Sequence, residues 1–436
     1  MKLNKKIFIQ ILVLSLLNIG VYAKEITVSN VKNLKGLIYI ALENNLDIKV
    51  AKSNIDAKDA GITYASSGYL PQVSVQGDVS QYHLQSKTAH SSDDDMAIGV
   101  NASANQLLYD FGETSSGIDS AKGLYAASLK RLDSTVDEVV FSVKNAYYNI
   151  LNQKQLINVA KESIKIDELQ LEQAEAYFKA GVRTKIDVTN AQLKVSNSKL
   201  SLLKAEFELK SAHTKLISIL GVKLDKDFSI QKNEKDIIDL ANSILPLNED
   251  ASSLVKMGLK QRAEIDESKA NIEVAQSNYT LANSQYYPKI FLNATYDEKE
   301  TDIASLNNRQ ISAGVYITWD VFSGYSTEAK VRENLAGLQK SKVDLKNIEL
   351  KISEEIINAY LEVKKGEDST KIQILSLELA TQNLSLAQQR YKAGLSDMVE
   401  LNDAKFDYTK SKSDLVNSYY AYLISVANLE YQTGKR

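Results

Sequence analysis

Four stretches of the chain alternate apolar and polar residues with a period of two. After Pro71, the residues Val73, Val75, Gly77 and Val79 alternate with Gln72, Ser74, Gln76, Asp78 and Ser80, and Ile98, Val100, Ala102 and Ala104 alternate with Gly99, Asn101, Ser103 and Asn105. The second half repeats this in Ile290, Leu292, Ala294 and Tyr296, and then in Ile311, Ala313, Val315, Ile317, Trp319 and Val321. A period of two sends successive side chains to opposite faces, so strands are predicted at 72–82, 97–108, 289–297 and 310–322, each apolar on one face and polar on the other. Strands of about ten residues with that division match the tilted strands of an outer-membrane barrel. Four strands cannot close such a barrel, because single-chain barrels begin at about eight and an open edge in lipid leaves backbone groups unpaired. Spanning strands therefore require several copies, and three would supply twelve. Two amphipathic hairpins packed on a water-soluble helical body fit the same alternation.

Between the strand pairs the period changes. Residues 114–179 contain no proline and only Gly117 and Gly123, both near the start, which predicts a helix of about 65 residues and about 100 Å. Along it Ile150, Ile157, Ile164, Leu171 and Phe178 recur every seven positions, with Ala146, Ala160 and Ala174 as small companions. A second long helix, 326–392, carries Val363, Leu377, Leu384 and Tyr391, with Ala359, Gly366, Ala380 and Ala387 as companions, and Thr370 and Gln373 interrupt it. Heptads with a small-residue seam predict coiled-coil packing of close backbones. Gly181 after Ala180 and Gly394 after Ala393 stand where a left-handed residue ends a helix. The segments from Thr184 to Asp187 and from Asp397 to Glu400 have capping-box spacing and open helices 185–220 and 398–432. The two tips, 181–184 and 394–397, are predicted side by side at the end farthest from the strands.

The elements come twice. A shift of 213 pairs Phe178 to Val182 with Tyr391 to Leu395, Ala191 with Ala404, Gly221 with Gly434, Ala146-Tyr147 with Ala359-Tyr360 and Leu108-Tyr109 with Val321-Phe322. Upstream the shift is 217 and pairs Lys52 with Lys269, Asn54-Ile55 with Asn271-Ile272 and Pro71 with Pro288. A unit this long is a duplicated half-structure, not a solenoid repeat. The chain divides into a first repeat, 24–221, a linker, 222–258, and a second repeat, 259–436. Residues 24–42 and 222–257 are predicted to form a belt of short helices and loops around the shaft.

Composition removes most chemistry. Of 436 residues 52 are basic and 55 acidic, a net charge of −3, so no attraction to nucleic acid follows from charge. There is no cysteine, which excludes disulfides, thiol nucleophiles and an N-terminal cysteine lipid anchor. His83, His90 and His213 lack metal-ligand spacing, and His213 reads as an ordinary helix-face residue. No nucleophile and base pair and no phosphate-binding glycine loop is present, so neither an enzyme nor a cofactor or metal site is predicted. Asp93, Asp94 and Asp95, beside Thr88, Ser91 and Ser92, are predicted as a solvated loop between the first two strands. Lys2, Lys5 and Lys6, the apolar run 7–19 and the small-residue exit at Val21-Tyr22-Ala23 predict a secretory signal over 1–23.

These residues together resemble the TolC family of outer-membrane efflux proteins. The resemblance rests on the signal segment, the duplicated halves, Tyr69 to Val73 at the first strand's start, Leu108 to Gly112 after the second strand, and both Ala-Gly tips. It implies a mainly α fold with a β-barrel portion. Long antiparallel coiled-coil helices would form an α-barrel, and four strands per chain would contribute to a 12-stranded barrel in a homotrimer. The barrel would sit in outer-membrane lipid, with the helical tunnel projecting into the periplasm. Partners would be a periplasmic adaptor, or membrane fusion protein, and an inner-membrane pump or ABC exporter of a tripartite efflux or type I secretion system. The resemblance places an acidic constriction at Glu400 and Asp403 and a closing contact between Tyr391 and Asp187. The lock arginine is replaced by Ser396, with Arg183 as the substitute. Adaptor docking falls on Ala180, Gly181, Val182, Thr184, Ala393, Gly394 and Leu395. Drugs, metal ions and secreted protein are all open as cargo, and a secreted or periplasmic coiled-coil scaffold is the rival reading. Asp187 and Glu400 also fit a purely capping role.

Overall fold

The computed structural model describes residues 33–85, 92–223, 230, 236–301 and 307–435. The predicted signal segment and Thr88, His90 and Ser91 lie outside these residues. The chain begins with α1 (Leu34–Asn44) and α2 (Leu46–Ser66), a 3-10 turn (Ser67–Tyr69), and the hairpin β1 (Gln72–Gln85) and β2 (Ser92–Tyr109). The helical hairpin α3 (Glu113–Lys179) and α4 (Lys185–Leu220) follows, then the short α5 (Ile237–Asn242) and α6 (Ala251–Gln261). The second half comprises α7 (Ala263–Ser284), β3 (Lys289–Thr301), β4 (Asn308–Thr318), α8 (Ser326–Lys392) and α9 (Met398–Gln432).

Helices α3 and α8 each have 67 residues, about 100 Å of uninterrupted helix. Helix α3 packs on α4, and α8 on α9; within the protomer α3 also meets α9, and α7 lies between α3 and α8. The seams are apolar where the heptads place them. Ile150, Val363, Leu377 and Leu384 are buried, with Ala146, Ala174, Ala359 and Ala387 beside them. Each fully buried Ile or Leu contributes roughly 1.5–3 kcal/mol. Thr370, the polar interruption, is also buried: its hydroxyl donates to the Gly366 carbonyl at 2.8 Å and lies 3.0 Å from the Ser418 hydroxyl. Phe178, the last member of the first heptad row, is exposed, whereas Tyr391, its counterpart under the 213-residue shift and likewise one residue before the end of its helix, is buried beside Tyr177.

Short segments bind to the middle of this shaft. Leu37, Ile40 and Ala41 of α1 and Ile237, Leu240 and Ala241 of α5 share a core with Val143, Ile150, Leu216 and Leu415. Three shaft side chains donate to carbonyls of the linker: Lys154 to Ile230 at 2.6 Å, Tyr422 to Leu245 at 2.9 Å and Lys364 to Leu247 at 2.7 Å. Asn45 caps α2 through the amides of Asp47 and Ile48 and donates to the Ile219 carbonyl at 2.7 Å, tying α2 to the end of α4. Where α6, α7, α8 and α9 meet, the buried Arg262 makes a two-bond fork to Glu264 and also donates to Glu355 and Gln432.

The strands form one antiparallel sheet in the order β1-β2-β3-β4. Their limits differ from the alternation. Backbone pairing of Tyr82, His83 and Leu84 with Asp95, Asp94 and Asp93 extends the first hairpin, so the predicted acidic loop is strand. Strand β3 likewise runs on to Thr301. Ladder hydrogen bonds carry a hairpin past the apolar band into water, where polar residues no longer reveal it. Strand β4 stops at Thr318, short of the predicted 322. The Trp319 indole donates to the Tyr286 carbonyl at 3.1 Å, and the chain turns there toward α8.

Candidate functional site

The sheet is built as a piece of wall. Cross-strand register puts Val75 opposite Ala102, Ala102 opposite Tyr296 and Tyr296 opposite Ile311, all on one face. That face is exposed to a degree no water-soluble sheet tolerates: Val75 is 73 % and Val315 62 % accessible, and Val73, Val79, Ile98, Ile311 and Ile317 are also exposed. The other face is polar. Ser74 meets Ser103 at 2.8 Å, Thr295 meets Ser312 at 2.7 Å, and Asn101 donates to Asp297.

The apolar band does not run straight across the ladder. Gly77 of β1 and Val100 of β2 share a row with Glu298 and Arg309, an ion pair, whereas the apolar residues of β3 and β4 lie further toward the helices. A band that crosses its own hydrogen-bond rows diagonally is the signature of strands tilted against the plane of the apolar layer. Below it Tyr109 stands edge-on to Phe111, Phe111 stacks on Tyr287 at 5.1 Å, and Phe322 packs on Tyr325. Such aromatic rings suit the boundary between hydrocarbon and water. Two left-handed residues make each strand-to-helix turn, Phe111-Gly112 in one half and Gly324-Tyr325 in the other. Asp110 then accepts from the amides of Gly112 and Thr114 at the head of α3.

Among the described residues both sheet edges are unpaired, and the helical part has matching open edges. Along α4, Ile186, Leu193, Leu200 and Phe207 recur every seven residues and are exposed, although Ala191 and Val195 on the opposite side are buried in the hairpin. Along α8, Ile372, Leu379 and Leu386 do the same opposite Leu377 and Leu384. Each edge helix thus has one stripe in use and a second with no partner in the protomer.

At the far end both hairpins turn alike. Gly181 and Gly394 have φ values of 74° and 72°. The amides of Val182 and Leu395 reach back to the carbonyls of Tyr177 and Arg390, closing both helices in the Schellman manner. The side chains diverge. In the first tip Thr184 donates through its amide and its hydroxyl to Asp187, both at 3.1 Å, so Asp187 completes a capping box. In the second tip Asp397 caps α9 through the amides of Val399 and Glu400, and the Glu400 carboxylate turns away to Arg390 at 2.9 Å. The capping role predicted for Glu400 belongs to Asp397, which sits one position before the helix with its carboxylate already aimed at the free amides.

Arg183 joins the two tips. Its guanidinium donates to the Ser396 carbonyl at 2.8 Å and lies 5.3 Å from the centre of the Tyr391 ring. Tyr391 is buried, with Tyr177 edge-on at 6.0 Å, and its hydroxyl has no hydrogen-bond partner among the described residues. Burial raises the Tyr391 pKa; the nearby Arg183 opposes this and Asp187 adds to it. The predicted link from Tyr391 to Asp187 is therefore not a hydrogen bond within the protomer, because Asp187 turns its oxygen to its own helix end. Asp403 is exposed and has no ion-pair partner among the described residues. Ala180, Gly181, Val182, Thr184, Ala393, Gly394 and Leu395 are all exposed on the tips. His213 lies half-buried on α4, where burial and then Lys154 lower its pKa and keep it neutral. Arg390 and Arg262 are not marked in the sequence. A partner ten residues away across a turn has no spacing signature, whereas the Asp before the helix at 397 was legible as a cap.

Among the described residues no helix is long and apolar enough to cross a membrane. The lipid-suited surface is the sheet, and the open-edged sheet continued by 67-residue helices defines a wall segment of an outer-membrane channel. The chain belongs to the outer membrane efflux protein family, whose sequence model matches residues 37–222 and 254–435. It is similar to the toluene efflux pump outer membrane protein TtgC of Pseudomonas putida, 24 % identical over 92 % of this chain and 82 % of that protein. It is 20 % identical to the outer membrane protein TolC of Salmonella enteritidis, over 94 % and 83 %. The Campylobacter jejuni CmeC outer membrane channel has the same fold, with a TM-score of 0.78 at 16 % identity over 92 % and 86 % of the chains. Channels of this family form trimers and work with adaptor proteins and inner-membrane pumps.

Proposed function

We propose that three copies of this chain close into a passive exit duct that is shut at its tips and opened by a periplasmic adaptor and an inner-membrane pump or ABC exporter. The observation that carries this reading is the doubled incompleteness of the protomer. Its sheet has two unpaired edges and an exposed apolar face, and its edge helices α4 and α8 carry unused heptad stripes. Joining β4 to β1 and α8 to α4 of the next copy satisfies both at once and gives twelve strands. A soluble scaffold has no use for the apolar sheet face. With no energy-transducing motif in the chain, direction comes from the partners, and so does the choice of cargo.

At the mouth, Glu400 is neutralised by Arg390, so the free carboxylates of a trimer reduce to three Asp403 side chains rather than six acids. A ring of like charge in a narrow opening concentrates cations. In planar bilayers Asp403→Asn is expected to reduce cation preference and Arg390→Ala to increase it; equal selectivity in all three proteins would remove the constriction from this position. Closure rests on Arg183. Loss of its charged hydrogen bond to Ser396, worth about 1.5–3 kcal/mol, is expected to raise the open fraction of Arg183→Ala by about tenfold. Tyr391→Phe deletes only an unpartnered hydroxyl and is expected to conduct like wild type. Asp187→Ala loses a cap of about 0.5–2 kcal/mol and is expected to fall between them. A wild-type-like Arg183→Ala alongside a leaky Tyr391→Phe would assign the closure to the tyrosine hydroxyl. The exposed tip residues, with Val182 and Leu395 foremost, are the adaptor-docking surface in this reading.

A further inference from the structure

One ionic contact lies inside the packing of the tip half of the shaft. The Lys405 ammonium on α9 and the Ser198 hydroxyl on α4 both donate to the same carboxylate oxygen of Asp167 on α3. The Asp167 side chain is fully buried and Lys405 nearly so. Among the described residues the second Asp167 oxygen has no hydrogen-bond partner, nor does the side-chain nitrogen of the buried Gln170 one turn further along. The duplication provides a comparison within the molecule. The 213-residue shift carries Asp167 to Ala380 and Lys405 to Gln192, so the pair has no ionic counterpart at the pseudo-equivalent positions on α8 and α4. The second hairpin packs α8 on α9 with Ala380 buried at the position that Asp167 holds in the first.

A buried pair with one oxygen unsatisfied is the case in which mutual attraction fails to repay desolvation in full. Burial pushes the Lys405 ammonium below its ordinary pKa even though Asp167 acts against it. The neighbouring contacts on the α3 and α9 seam differ. Glu162 accepts from Tyr408 and Lys412, both at 2.6 Å, Asn152 meets Asn417 at 3.2 Å, and Lys144 meets Glu430 at 2.7 Å. These are partly solvated and exchange for water at little cost. Only the Asp167 contact would change its hydration state if the seam moved, and it stands about 18 Å along α3 from the tip.

We propose that Asp167, Ser198 and Lys405 form a second latch, which holds α9 against the α3 and α4 hairpin in the closed duct and separates with uptake of water when the duct opens. This rests on the duct reading above. The test is planar-bilayer conductance of full-length trimers. Lys405→Met leaves the carboxylate buried alone and is expected to raise conductance about threefold or more, while the double variant Asp167→Leu with Lys405→Met gives a dry seam and is expected to return to or below wild type. General loosening of the shaft would make the double variant at least as leaky as the single one. That result, or a Lys405→Met indistinguishable from wild type, overturns the latch. If Lys405→Met does not assemble, Ser198→Ala removes one donor and keeps the pair, with an expected rise of about twofold; no rise overturns the proposal. Absence of current in wild type, in Arg183→Ala and in every latch variant would instead sink the duct itself.

Discussion

Val75→Lys and Val315→Lys are each expected to prevent stable assembly in the outer membrane. Both residues sit within the exposed apolar band, on opposite edge strands of the sheet. A lysine facing lipid near the midplane costs about 2–4 kcal/mol per copy, and three copies bear it together. The whole stability of a domain of ordinary size is about 5–15 kcal/mol, so the sum is decisive. Gln76→Lys, one residue along β1 but on the polar face, is expected to be tolerated, since a charge there meets water. Membrane fractionation and heat-resistant trimers on gels give the readout. Equal loss in Gln76→Lys would mean that the sheet is sensitive to any charge and that its apolar face does not define the lipid side; normal assembly of all three would mean that the sheet never enters lipid.

Arg262→Met is expected to lower the stability of the shaft by about 3 kcal/mol, the low end for breaking a buried charge pair because Glu264 and Glu355 keep some access to water. The pH dependence is expected to weaken as well. In the native protein burial works against ionised Glu264, but the hydrogen bonds and charge of Arg262, with hydrogen bonds from its own backbone amide and from Ser134, outweigh it, and its pKa lies below the ordinary value. A depressed carboxylate contributes stability above its unfolded pKa of about 4.3 and loses it as pH falls through the folded value. Without Arg262 the burial is opposed only by the Glu264 backbone amide and the Ser134 hydroxyl, so the folded pKa rises and less stability is lost on acidification. Thermal unfolding of wild type and variant between pH 7 and about 4 measures both slopes. Parallel slopes, or a melting temperature unchanged by the substitution, would show that the fork is a surface contact of little worth.

Much of this architecture is written locally. Proline-free heptads imply coiled-coil helices tens of ångströms long, because the repeat of seven allows one seam to persist only in a supercoil. Gly181 and Gly394 marked the hairpin turns through their left-handed backbone, and Asp187 marked a capping box through its spacing from Thr184. The strands were legible only where alternation meets a two-sided environment. Their outer ends, including Asp93 to Asp95, are paired in the backbone ladder beyond the apolar alternation, where the sequence pattern does not mark them. The partition of Glu400 from Asp397, the reach of Arg183 to Ser396 and the convergence of Asp167, Ser198 and Lys405 involve residues brought together across turns or from separate helices, for which spacing in the chain has no code.

The order of residues alone determined that the chain is two copies of one half-structure, mainly helical, with four two-faced strands too few to close. Each of those properties depends on periodicity, which is a local relation between neighbours. The tertiary structure decided which charges are spent and which remain. It also set the diagonal of the apolar band across the sheet and left α4 and α8 each with a second, unpartnered stripe. Those outcomes depend on distances between residues far apart in the chain, and burial, the force that assigns them, acts on surfaces that exist only after the helices have packed.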